Sequence, residues 1–158
     1  MRIRVLVDAD ALPRPAREVL ERTAIRGRVD LLLVANRPQR AGGSPHVRAI
    51  LAGAGFDAAD RVIVEQARPG DLVITADVPL AAELVRRGVA VLTPRGEEIT
   101  RDNAGERLAA RDLAEERRAG GAVTGGPAPY GSRERRAFAD ALDRRLTRLR
   151  RSVGAARI

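Results

Sequence analysis

The stretch RIRVLVDADALPRP, residues 2–15, decides how the rest of the chain is read. Its apolar run is short and β-branched, which suits a strand, and the prolines that follow suit the opening turn of a helix because their fixed φ is already helical. A strand apolar at consecutive positions is covered on both faces, as in a parallel sheet lying between helices. Between strand and helix stand Asp8 and Asp10. A second stretch, DLVITADVPL (71–80), repeats the arrangement: an apolar run, Ala76-Asp77, then Pro79. Ligands of open parallel sheets gather beyond the carboxyl ends of the strands. If the two strands are neighbours, Asp8, Asp10 and Asp77 converge on one rim.

Working outward, short apolar runs at 2–7, 29–35, 61–66, 71–76 and 89–94 read as strands. The segments 13–27, 44–55 and 78–88 read as helices by apolar spacing and by the glycines that end them. The expected order is β-α-β-α-β-β-α-β, an α/β domain with a central, mainly parallel sheet flanked by helices. Residues 102–118 read as a charged helix with i,i+4 pairs. The expected organisation is one α/β domain over 1–118, a Gly/Pro-rich linker over 119–131 and a basic C-terminal helix within 132–158. In that helix Phe138, Leu142, Leu146, Leu149 and Val153 form a stripe that docks on the domain, leaving Arg144, Arg145, Arg148 and Arg151 on more exposed faces.

Composition narrows the chemistry. A chain of 158 residues with 44 % hydrophobic content can bury one core, but only 2 % aromatic content argues against base-stacking platforms. No cysteine and one histidine, His46, exclude disulfides, thiol nucleophiles and cysteine- or histidine-rich zinc sites. Any metal has to be held by carboxylates. The formal charge of +8 is uneven: residues 1–127 carry 20 Arg against 18 acidic residues, whereas 128–158 carry 9 Arg against 3. Nucleic acid is one partner such a balance suits. The start MRIRVLVDAD lacks the long apolar core of a signal peptide and no run is long enough to span a bilayer, so the expected location is cytoplasmic, without a membrane partner.

Three carboxylates at one rim suit Mg²⁺ or Mn²⁺, hard cations that take oxygen ligands and retain water. The competing reading is capping: Asp is a preferred N-cap, and both Asp10 and Asp77 precede helix-opening prolines. One cap needs one side chain, so Asp8 is the acid that capping explains least. Asp71 opens the strand that Asp77 follows, about 20 Å away at roughly 3.3 Å per residue, and reads as a turn residue after Pro69-Gly70. Asn36, Thr75 and Arg95 follow or end strands on the same rim and are candidate substrate-binding residues, with loop hydrogen bonding or pairing to Glu97 or Glu98 as the alternative. Glu83 is left open.

The blocks DADALP, VAN, GFDAAD, GDLVITADVPLAAE, PRGEEIT, RLAARD and TGGP, in order from Asp8 to about Leu142, resemble the bacterial YaiI/YqxD family, a group with a PIN-like domain. The resemblance implies a PIN-like three-layer fold. Better known PIN relatives are Mg²⁺- or Mn²⁺-dependent ribonucleases with an acidic cluster at the carboxyl edge of the sheet, and Asp8, Asp10 and Asp77 match that pattern. It implies a nuclease acting on RNA, or a non-catalytic RNA-binding protein that retains the fold. PIN nucleases commonly add an acid from a middle helix, and the sequence does not assign one. One departure is Leu12, where the family usually has cysteine in Asp-Ala-Cys-Pro. TGGP reads as a linker with a possible ligand edge.

Overall fold

The computed structural model describes residues 2–27, 29–55, 57–121 and 129–156. The chain runs β1 (Ile3–Asp8), α1 (Arg14–Ile25), β2 (Val29–Ala35), β3 (Val47–Leu51), α2 (Ala58–Gln66), β4 (Leu72–Ile74), α3 (Val78–Arg86), β5 (Ala90–Leu92), β6 (Glu98–Ile99), α4 (Arg101–Ala119) and α5 (Ser132–Ala156). One six-stranded sheet has the order β3-β2-β1-β4-β5-β6. Its pairs are parallel except β5 with β6.

Alternation along the strands divides the core in two. Val5, Val7, Leu31, Leu33, Leu72 and Ile74 face α1 and α5. Leu6, Leu32, Val34, Val73 and Val91 face α2, α3 and α4. This is the three-layer α/β arrangement expected. The central strands are buried on both sides, which is why their sequences are apolar without interruption.

Two segments are exchanged relative to the sequence reading. Residues 47–51 form β3 rather than part of a helix over 44–55, and residues 61–66 lie in α2 rather than in a strand. In the first, Pro45 and Gly53 leave room for only a short element, and pairing with β2 decides it: Leu31 N–H donates to His46 O and Ala52 N–H to Ala35 O, both at 2.8 Å. As an edge strand, β3 buries only Val47, and Leu51 is 60 % exposed. In the second, the β-branched run Val62-Ile63-Val64 belongs to a helix that buries Ala59 and Ile63, four residues apart. The resulting order is β-α-β-β-α-β-α-β-β-α-α.

Asp71 is 8 % exposed, and its carboxylate accepts from Arg4 Nε at 3.2 Å and Nη2 at 2.6 Å and from Arg68 N–H at 2.9 Å. The turn residue thus also ties β1 to β4 at their amino ends. His46 sits at that end too, with Nδ1 3.0 Å from Asp30 Oδ1, remote in register from the three aspartates. Phe138, Leu142, Leu146 and Leu149 of α5 are buried against α1 and the sheet. Arg145 and Arg148 both reach Glu98, at 3.0 and 2.8 Å, so these two of the four expected exposed arginines brace α5 against β6. TGGP and the Val153 side chain lie outside the described residues.

Candidate functional site

β1 and β4 are adjacent, with Val7 opposite Ile74, so Asp8 and Thr75 stand side by side at the carboxyl rim. Alternation directs Asp8 to the face of Leu6 and Thr75 to the face of Val73, the side occupied by α2 and α3. The Thr75 hydroxyl donates to the Asp8 carboxylate, and its oxygen accepts from Asp77 N–H at 3.0 Å. At 1 % exposure, Thr75 links the two acids and is out of a substrate's reach.

Asp77 is the N-cap of α3: its Oδ1 accepts from Leu80 N–H at 3.0 Å, and Pro79 follows in the first turn. Asp10 does not cap α1, because the Asp-Ala-Leu-Pro turn intervenes and Pro13 is the N-cap, without a side-chain bond. Asp10 Oδ2 instead accepts from Asn36 N–H at 2.8 Å. The Asn36 side chain, through Oδ1, accepts from Ala59 N–H at 3.1 Å, serving a first-turn donor of α2 that Asp57 does not reach. Asn36 therefore fastens both Asp10 and α2 to the end of β2.

A fourth acid joins the rim. Asp60, in the first turn of α2, is hydrogen-bonded to Asp77 and lies within the field of Asp8 and Asp57. Burial, then the repulsion of Asp77 and Asp8, pushes its carboxyl up to about 6. Asp8 is raised for the same reasons, burial first and then Asp10 and Asp77, while the Thr75 hydroxyl opposes the shift. The strand reading of 61–66 hid Asp60. The Ala59–Ile63 spacing is the signal that would have placed it on a helix facing the rim.

The acidic donors at this rim are oxygen atoms, and their crowding raises the proton affinity of Asp8 and Asp60, a repulsion that a hard divalent cation relieves. Among the described residues, no three His, Cys, Asp or Glu side chains lie close enough together to hold one ion. The donor set fits an open site, in which one or two carboxylates bind directly and water completes the shell.

The profile of the YaiI/YqxD family, described as an uncharacterised BCR family, matches residues 6–148. The chain belongs to the YaiI/YqxD family. It is similar to UPF0178 proteins, among them one of Pseudomonas fluorescens (strain Pf0-1), 51 % identical over 149 residues that cover 94 % of this chain and 99 % of the relative. One of Bordetella parapertussis (strain 12822) is 52 % identical over 151 residues, 96 % of this chain and 94 % of the relative. One of Solidesulfovibrio magneticus is 51 % identical over 144 residues, 91 % and 96 % respectively. No solved structure matches the chain.

Four blocks that carry the YaiI/YqxD resemblance meet at the rim: DADALP follows β1, VAN ends β2, the DAAD of GFDAAD opens α2, and GDLVITADVPLAAE spans β4 and α3. Leu12 is half-buried against the α1-side core. PRGEEIT forms the turn between β5 and β6, where the Arg95 guanidinium lies 5.9 Å from the Tyr130 ring centre. Glu97 pairs with Arg107, and Glu98 with Arg145 and Arg148. Glu83 pairs with Arg86 and Arg87 on its own helix.

Proposed function

We propose that the chain is a Mg²⁺- or Mn²⁺-dependent phosphodiesterase acting on RNA, with Asp8, Asp10, Asp60 and Asp77 as its acidic cluster. The observation that supports this reading is the contact of Asp60 with Asp77 beside Asp8, three carboxyl groups from three elements at one strand end. Mutual repulsion costs folding energy, and a bound cation offsets it. Asp8 and Asp77 would hold the ion, with Asp60 releasing its proton and Asp10 acting through the ion's waters. Such an ion supplies a more acidic water and neutralises charge developing on a phosphodiester.

The chain's own residues have distinct tasks in this reading. Thr75 fixes Asp8 relative to Asp77, and Asn36 fixes Asp10. The Arg95 guanidinium, held over Tyr130, is a candidate contact for a phosphate oxygen. A second reading, a non-catalytic RNA-binding protein, is favoured by one observation, that no three ligands are gathered for an ion among the described residues.

The deciding experiment is Mn²⁺ titration by calorimetry beside hydrolysis of single-stranded RNA, on the wild type and on Asp8→Asn. The expected result is metal binding and cleavage in the wild type, both abolished in the variant. RNA binding without metal-dependent cleavage establishes the second reading instead.

A further inference from the structure

Two clefts open from the acidic rim, on opposite faces of the sheet. The one on the α2–α3 face, about 510 Å³, is walled by Asp57, Asp60, Glu65, Asp77 and Glu83, with Arg61 and Arg111 among them. The one on the α1 face, about 690 Å³, lies between α1 and residues 38–42 and reaches the rim at Asp10. Its wall is braced by Arg17, whose Nε donates to Glu21 at 2.7 Å and Nη1 to Gln39 Oε1 at 2.6 Å, and which also donates to the Arg40 carbonyl. Arg17 and Glu21 neutralise one another there and Glu18 lies 4.0 Å from Arg135 of α5, while Arg14 and Arg40 line the same cleft with exposed side chains.

Arg95 belongs to this side as well. Tyr130, over which it lies, packs on the α1-side core and donates its hydroxyl to Pro94 O at 2.7 Å. The rim is therefore polarised: acids outnumber guanidinium groups in the α2–α3 cleft, whereas Arg14, Arg17 and Arg40 balance Asp10, Glu18 and Glu21 in the α1 cleft, with Arg95 beside it. A polyanion is repelled from the first and meets a balanced lining in the second, where the exposed Arg14 and Arg40 are available to its phosphates.

Resting on the nuclease reading of the acids, we propose that single-stranded RNA docks from the α1/α5 side alone. Its backbone lies in the cleft between α1 and residues 38–42 and reaches the acids past Asp10, with Arg14, Arg40 and Arg95 on its phosphates. A concave slot within the usual range for small-ligand sites, about 300–1,000 Å³, receives one strand and not the convex surface of a duplex. With few aromatic residues, recognition rests on phosphates and is salt-dependent and tolerant of sequence.

The test is fluorescence anisotropy with a 5′-labelled single-stranded RNA, in EDTA, over a KCl series. Arg14→Glu/Arg40→Glu is expected to weaken binding at least about tenfold and to reduce the salt slope by about 0.7 for each phosphate that is no longer neutralised. Arg95→Ala weakens it less. The control pair Arg144→Glu/Arg151→Glu, on later turns of α5, leaves affinity and slope unchanged, and circular dichroism melts establish that each variant is folded. Equal weakening by the control pair, no weakening by the cleft pair, or tighter binding of duplex RNA or of single-stranded DNA of the same sequence overturns the docking proposal. Mn²⁺-dependent cleavage of the same RNA is followed in parallel. Cleavage with unchanged KM in Arg14→Glu/Arg40→Glu refutes the docking while leaving the nuclease reading intact. Binding that depends on Arg14 and Arg40 without any cleavage by the wild type refutes the nuclease reading and retains the docking surface.

Discussion

Asp60 binds its proton with a pKa of about 6 in the folded protein against an ordinary value of 3.8. A raised folded-state pKa stabilises fully below the unfolded value, and that stabilisation is lost as pH rises through the folded one. Asp8 is displaced in the same direction. In EDTA the protein is therefore expected to melt at a higher temperature at pH 5 than at pH 7.5, and Asp60→Asn to flatten that difference. A profile unchanged by Asp60→Asn would remove Asp60 from the cluster. Asp8→Asn is expected to melt at or above the wild type without metal, because it relieves repulsion, while losing Mn²⁺ binding and any hydrolysis. A lower melting temperature with Mn²⁺ binding intact would make Asp8 a structural residue. For Asp10→Ala the expected loss is about 1 kcal/mol by chemical denaturation, the scale of the one hydrogen bond it accepts from Asn36 N–H.

Among the elements, α5 carries most of the excess positive charge and also closes the α1-side core. Phe138 is fully buried, so Phe138→Ala is expected to cost about 3–5 kcal/mol in denaturant titration. Removing α5 to test its charge would instead unfold the domain, which is why charge reversal at exposed positions is the informative change. The β5–β6 turn is seated directly on this helix. At Gly96, φ is +87° and an added Cβ would lie 2.6 Å from Ala137 O. Gly96→Ala is therefore expected to cost at least about 1–3 kcal/mol and to displace Arg95, read as lower stability together with a raised KM for RNA. Unchanged stability would mean the turn yields without strain. β3 and α2 are each a short apolar segment with β-branched residues, and at that length periodicity does not separate helix from strand. Pairing with β2 made one a strand, and packing of Ala59 and Ile63 made the other a helix.

At the scale of the whole molecule, a ligand that binds only the folded protein raises its stability by mass action, about 2.7 kcal/mol at a hundredfold excess over Kd. Mn²⁺ is accordingly expected to raise the melting temperature at pH 7.5 in the wild type and not in Asp8→Asn. An equal rise in both would place the ion elsewhere. Among the described residues no helix is long and apolar enough to cross a membrane. The repeated pattern of apolar strand, aspartate and helix-opening proline was enough to place Asp8 and Asp77 at strand ends and to indicate a parallel sheet, because continuous burial and turn chemistry are local properties of the chain. Tertiary structure alone decided the rest. Whether β1 and β4 are neighbours, which acid α2 delivers, and that Asp10 is held by Asn36 rather than capping α1 all depend on strand order and helix docking. Those are set by long-range pairing and packing, which leave no mark on the local sequence of the residues they bring together.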